Sequence, residues 1–442
     1  MLYFLKYINF LEENQKMSKT KIVIIGAGSH FTPGLLGDFT SAEELAGSIV
    51  VLHDIEASGM EIMAKLGRRM VKEKSVDLHI KSTLDRREAL SDADFVISTI
   101  RVGGLEAHRK DIKIPLKYEI YQGVGDTVGP GGLFVALRHI PVTVEFCRDM
   151  EELCPNAWLF NFTNPMTAIC RAARKVTDIK IVGLCHGIFG TRRFLADYLG
   201  VQINDFHVQA AGINHFTWIY DMRHNGEDAY PLLWEKYAEA GPKTQPVSFQ
   251  LFEIYGLYPS PGDRHVAEFL PFYHRKEADG GAKYGLHLRD VDAMEKGKDE
   301  YWARLSAQAD GIQPLSNYGS GEEVKGIITA LLENKNSTHV VNVPNRGAIP
   351  HLSDTAVVEL TAMVGADGMK SICVDELPHG ITTMLQTRIL QQELTVDAAL
   401  TGDRNLALQA LLADLMTRSV EDAKKLLDEL LEAHAEHLPQ FS

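Results

Sequence analysis

Thr20-Lys21-Ile22-Val23-Ile24-Ile25-Gly26-Ala27-Gly28-Ser29 is a β-branched run that stops abruptly at glycine. Such a run suits the buried first strand of a parallel sheet, and Leu35 to Phe39 suits the helix after it. At the turn between them, Gly26 and Gly28 remove side chains where backbone amides and a helix N-terminus can approach a pyrophosphate, with Ser29 beside them. The glycine spacing is incomplete, because Phe31 stands where a third glycine is expected and Gly34 falls nearby. The next apolar run, Ser48 to Leu52, is followed by Asp54, placed where an acid holds the two ribose hydroxyls of a dinucleotide. An acid there repels a 2'-phosphate, so the pattern predicts NAD. The plainer role for Asp54 is a cap on the helical stretch Glu56 to Lys74.

Working outward, Phe95 to Ile100, Trp158 to Asn161 and Ile179 to Leu184 repeat the order of apolar strand and polar or glycine-rich loop. The spacing predicts an α/β fold, with a Rossmann-like nucleotide-binding domain over residues 20–200 and a closely packed α+β catalytic and oligomerisation domain over 201–442. Helices are expected at Glu322 to Leu332, at Asp354 to Met363 and through the leucine-rich tail Val396 to His434. Residues 1–19 read as a non-core extension. Met1 to Leu11 is too short for a membrane span and lacks the layout of a cleaved leader, and Met17 offers a second start.

With 442 residues, 45% hydrophobic and 24% charged, the chain exceeds the usual size of one core and predicts two lobes. Its net charge of -14 argues against a broad nucleic-acid surface, and no run suits a membrane. The five cysteines lack the CxxC spacing of a redox or zinc motif and predict free thiols in a reducing, cytoplasmic compartment.

Three segments carry chemistry. They are Asn161-Phe162-Thr163-Asn164-Pro165, Gly183-Leu184-Cys185-His186-Gly187 and Asn214-His215-Phe216. A thiolate with an imidazole suits a borderline divalent ion, although either residue alone also fits an ordinary buried position. Together with the glycine turn and Asp126-Thr127-Val128-Gly129-Pro130-Gly131-Gly132, they make the chain resemble glycoside hydrolase family 4, the NAD- and divalent-metal-dependent glycosidases, from Lys21 to about His437.

The resemblance implies a Rossmann-like domain joined to an α+β catalytic region, a homodimer or homotetramer, and NAD with Mn2+ or another divalent ion. Gly26, Gly28, Ser29, Asp54 and Arg101 would hold the cofactor, Cys185 and His215 the metal, and Asn164 the sugar hydroxyls. The implied reaction departs from the usual pair of carboxylates. Hydride leaves sugar C3 for NAD, the resulting ketone acidifies C2-H, and the metal stabilises the enediolate formed on deprotonation. Elimination expels the glycosidic oxygen, water adds at C1, and the hydride returns. For the C2 base the segment Tyr258-Pro259-Ser260-Pro261-Gly262-Asp263-Arg264-His265 favours Asp263, with Tyr258 and His265 as rivals, and a turn cap is the plainer role for Asp263. Asp111 is a candidate to act near the glycosidic oxygen. Asp126 stands where the family commonly has glutamate.

His186 after the cysteine resembles members acting on unphosphorylated α-glycosides, and Gly187 resembles the uronidase-like subgroup. The substrate implied is a small α-linked uronide or oligosaccharide, an α-galacturonide before an α-glucuronide. Arg101, Arg109, Arg264 and His265 offer groups for a sugar carboxylate. A neutral α-galactosidase or α-glucosidase is the nearest alternative. A sugar-acid dehydrogenase, which would accumulate NADH, is the alternative of a different class.

Overall fold

The computed structural model describes residues 20–442, so the expected extension over 1–19 lies outside the described residues. Six strands, β1 (Lys21–Ile25), β2 (Ser48–His53), β3 (Leu78–Thr83), β4 (Phe95–Ser98), β5 (Trp158–Asn161) and β6 (Lys180–Gly183), lie parallel in the order 3-2-1-4-5-6. This is the doubly wound order of dinucleotide-binding sheets, and the reversal at β1 and β4 opens a crevice beyond their carboxyl ends. The α/β, Rossmann-like reading of the first half therefore holds. Along β1, Ile22 and Ile24 enter one core, and Val23 and Ile25 enter another on the opposite face. Burial on both faces explains an unbroken aliphatic run, each side chain contributing about 1.5–3 kcal/mol.

Six helices connect and flank these strands: α1 (Thr32–Phe39), α2 (Ala57–Lys74), α3 (Arg86–Leu90), α4 (Gly104–Leu116), α5 (Gly129–Leu153) and α6 (Met166–Val176). Beyond β6 come α7 (Gly187–Leu199), β7 (Phe206–Ile213), β8 (Phe216–His224), β9 (Glu227–Asp228), α8 (Tyr230–Ala240), α9 (Pro246–Tyr255), β10 (Tyr258–Ser260) and α10 (Asp263–Val266). Then follow α11 (Val291–Ala309), α12 (Val324–Glu333), β11 (Ser337–Pro344), β12 (Val357–Gly365), β13 (Gly368–Ser371), α13 (His379–Thr401), α14 (Arg404–Ala413) and α15 (Val420–Ala433).

The later strands do not form a separate sheet. β11 pairs with β6 antiparallel, and the order continues through β12, β7, β8 and β10, so one 13-stranded sheet runs through the molecule. Asp354 to Met363, expected as a helix, corrects to a strand. Val357, Val358, Leu360, Ala362 and Val364 are buried between neighbours on both sides, and that burial overrides a pattern that suits either period. The tail is helical as expected, and α13, α14 and α15 return to share a core with α4, α5 and α6.

A strap between α11 and α12 crosses α1. A Cβ on Gly37 would overlap the Tyr318 carbonyl, and Ser320 donates to Asp38 through both its backbone N–H, at 3.2 Å, and its hydroxyl. The glycine face of α1 thus seats the strap and delivers Glu322 to the crevice.

Candidate active site

Gly26 has φ +84°, and a Cβ there would lie 2.9 Å from the Thr99 carbonyl carbon, so the turn closes this tightly only around glycine. His53 O accepts from both Gly26 N and Ala27 N, and Gly28 N donates to Asp54 Oδ2 at 2.7 Å. Asp54 is thereby fixed at the β2 end beside the turn, and its Oδ1 also accepts from Glu56 N at 3.1 Å. Ser29 Oγ accepts from Phe31 N, tightening the entry to α1. A glycine cradle, a helix N-terminus and a carboxylate placed together fit a pyrophosphate and a ribose.

The loops after β4 and β5 are tied by His139. Burial holds its pKa down to about 3, so its ring is neutral at ordinary pH. It bonds Asn164 O through Nδ1 at 2.7 Å and accepts from Val102 N at Nε2 at 3.0 Å. Asn164 Oδ1 is buried without a hydrogen-bond partner among the described residues, an acceptor held ready for a hydroxyl.

Cys185 and His186 follow β6, and His215 sits in the two-residue hairpin between β7 and β8, where Ile213 pairs Phe216. Burial raises the Cys185 thiol pKa, with the Glu359 carboxylate adding to it, while the Asn214 amide acts the other way. Asn214 also donates to Glu359 at 2.6 Å, so one amide links the Cys185 and His215 segments. Burial, with the neighbouring His265, brings the His215 pKa to about 3 and keeps its imidazole neutral, the form a metal requires. His265 lies against it with ring centroids 4.4 Å apart, and burial lowers its pKa as well. A thiol and a neutral imidazole make a donor set that fits a borderline divalent ion. His186 Nδ1 meets Glu322 Oε1 at 2.7 Å, which raises the imidazole pKa.

One residue in this region carries no sequence signal of its own. Arg289, on the loop before α11, has a buried Nε without a partner, and its charge acts on Arg101, Arg264, His265 and Asp126. Asp126 is buried. Although burial raises its pKa, the neighbouring His215 and His265 together with a hydrogen bond from Thr127 hold the net value below the ordinary carboxylate range. Arg101 is exposed at its tip and makes no salt bridge among the described residues, while the protein around its base lowers its pKa, with Arg289 pushing the same way.

Four expected site residues are engaged by partners within the protein. Asp263 caps α9: its carboxylate accepts from Val247 N at 2.8 Å and Ser248 N at 2.7 Å, and burial raises its pKa. Tyr258 is enclosed by Phe194, Phe249 and Phe252. Asp111 is fully buried and takes two bonds from Arg138, at 2.9 and 2.6 Å, with His434 at 3.0 Å. Arg109 is spent on Glu106, Asp292 and Glu295. Arg264 stays at the crevice but donates through Nε and Nη2 to Gly123 O, at 3.0 and 2.9 Å. Apart from Glu106, which lies one helical turn from Arg109, the polar partners are at least 15 residues away in sequence.

Residues 21–201 match the model of the family 4 glycosyl hydrolases, and residues 210–417 match that of the family 4 glycosyl hydrolase C-terminal domain. The chain belongs to glycosyl hydrolase family 4. An alpha-galacturonidase of Thermoanaerobacter italicus is 34% identical over 450 residues, covering 96% of this chain and 98% of that protein. An alpha-galactosidase of Bacillus subtilis is 32% identical, covering 95% and 99%. Among solved structures, the 6-phospho-beta glucosidase of Thermotoga maritima with manganese, NAD+ and glucose-6-phosphate is similar, with a TM-score of 0.81 at 26% identity over 95% of this chain and 99% of that one. The protein is thus a glycosidase of this family. No helix among the described residues is long and apolar enough to cross a membrane.

Two stability measurements check these placements. Asp111→Ala strands a buried guanidinium and should cost about 3–5 kcal/mol in urea unfolding, whereas Arg109→Ala should leave the midpoint nearly unchanged. Glu268 is fully buried and accepts from Val124 N and Gly125 N, and burial raises its pKa from 4.5 to about 8. Between those values the folded state keeps a proton that the unfolded state releases, so the Glu268 contribution to stability is full below pH 4.5 and is lost as pH rises through about 8. Glu268→Gln should flatten that decline between pH 5 and 9, and parallel curves for variant and wild type would contradict the assignment.

Proposed function

We propose that this family 4 glycosidase releases a terminal α-linked uronic acid, most specifically galacturonic acid, using NAD on the Gly26 to Ser29 turn and Mn2+ or another divalent ion at Cys185 and His215. The observation that carries the substrate class is the surplus of guanidinium in the crevice. The buried Arg289 Nε has no partner among the described residues, the exposed Arg101 makes no salt bridge there, and a planar sugar carboxylate would supply one to both. The alpha-galacturonidase relative supports the same reading, while the similarly distant alpha-galactosidase keeps a neutral sugar as the competing one. In this reading residues 20–200 hold the cofactor, and residues 201–442 supply most of the opposite wall and the contacts of a homodimer or homotetramer.

When bound, NAD and the divalent ion supply a reversible hydride acceptor for sugar C3 and polarisation of the adjacent oxygens, which makes the C2 proton acidic. The chain's own residues then divide the work. Asn164 Oδ1 accepts a sugar hydroxyl, and Arg101 and Arg289 hold the carboxylate. His265, neutral and lying against His215 with the rings tilted, is better placed than Asp263 or Tyr258 to take the C2 proton, since Asp263 is committed to the α9 amides and Tyr258 is enclosed.

Aryl α-galacturonide, α-glucuronide and α-galactoside, supplied with NAD+ and Mn2+ in deuterated water, test the whole reading. The expected result is galacturonide cleavage with deuterium at product C2 and no accumulation of NADH. Stoichiometric NADH without cleavage would instead identify a sugar-acid dehydrogenase, and preference for the galactoside would reject the uronide. Arg289→Leu should raise KM for the uronide about 10-fold or more while sparing the galactoside, in line with loss of a charge-assisted contact. His265→Ala should abolish C2 exchange, and Asp263→Asn should retain it.

A further inference from the structure

The Asp126-Thr127 pair stands beside His215 without a role in the reaction derived above. Thr127 Oγ1 donates to Asp126 Oδ1 at 2.8 Å and lies 3.1 Å from His215 Nδ1, with all three groups buried. A hydroxyl has one hydrogen, and a carboxylate can only accept. Thr127 therefore has a lone pair, and no hydrogen, left for the imidazole, and His215 Nδ1 must carry the proton. A neutral imidazole with Nδ1–H has its remaining lone pair on Nε2, for which the structure shows no hydrogen bond among the described residues.

We infer that Asp126 and Thr127 are positioning residues that lock His215 in its Nδ1–H tautomer and aim the Nε2 lone pair at the divalent cation, an inference that rests on the metal reading above. The pattern follows the general behaviour of metal-bound histidines, whose second nitrogen donates to an orienting acceptor. Here the acceptor is a hydroxyl whose own direction is set by a neighbouring carboxylate. The short aspartate suits this task, because it reaches the hydroxyl of the next residue in the chain. The relay is itself held in place. Glu268 accepts from the Val124 and Gly125 amides, Arg264 donates to Gly123 O, and His265 packs against the His215 ring.

The relay is tested without relying on turnover. In metal-free protein labelled with 15N-histidine, and with the His215 signal assigned by its loss in His215→Asn, wild type should show Nδ1–H with an unprotonated Nε2. Thr127→Val should populate the Nε2–H tautomer and weaken Mn2+ binding, measured by calorimetry, about 10–100-fold. Thr127→Ser should restore both. NAD+ affinity, measured on the same samples, should be unchanged in Thr127→Val and so report an intact fold. Wild type in the Nε2–H form, or Thr127→Val with unaltered tautomer and Mn2+ affinity, would overturn the inference. Failure of wild type to bind Mn2+ would overturn the metal reading, while the metal-free tautomer measurement still judges the relay by itself.

Discussion

Residues 122–131 run through the interior, and each buried peptide group there needs a partner or costs about 1–3 kcal/mol. The partners come from every side. Gln122 bridges Asp111 O and Gly131 N, Arg264 donates to Gly123 O, Glu268 accepts from Val124 N and Gly125 N, and Asp414 accepts from Gly129 N. Asp414 is in turn paired with Arg388 at 2.9 Å, which ties the α13 and α14 region to the same loop. The loop presents Asp126 and Thr127 to His215, so the geometry at the imidazole depends on satisfaction of this buried backbone.

The sheet explains how the two halves of the sequence meet there. β6 ends at Gly183, just before Cys185, and its antiparallel neighbour β11 pairs Asn342 with Gly183. Asn342 also donates to Glu359 on β12, which accepts from Asn214 at the hairpin that carries His215. The chain of contacts crosses from the parallel to the antiparallel part of one sheet, where a boundary between independent units would have loosened it.

Much of this was legible in sequence because local signals sufficed. The β1 run and its glycine turn need only β-branched patterning and small residues, and Cys185 and His215 lie in segments marked by glycine, histidine and asparagine. The rest depended on partners that no local pattern names. Asp263 became a cap because α9 begins next to it in space, and Asp111 became an ion pair because Arg138 lies on the neighbouring helix. Arg289 had no motif at all, and it is brought near Arg101 and Arg264 only by the fold. Asp354 to Met363 was misread for a related reason: burial on both faces of β12 erases the alternation that separates a strand from a helix.

The strap across α1 has an evolutionary consequence. Its seat on Gly37 and Asp38 belongs to the helix after the Gly26 to Ser29 turn, whereas its end carries the Glu322 partner of His186. A lineage exchanging the residue after Cys185 would also have to accommodate a segment whose seat leaves no room for a side chain at position 37. Diversification at that position is therefore expected to come in coordinated steps that include the strap.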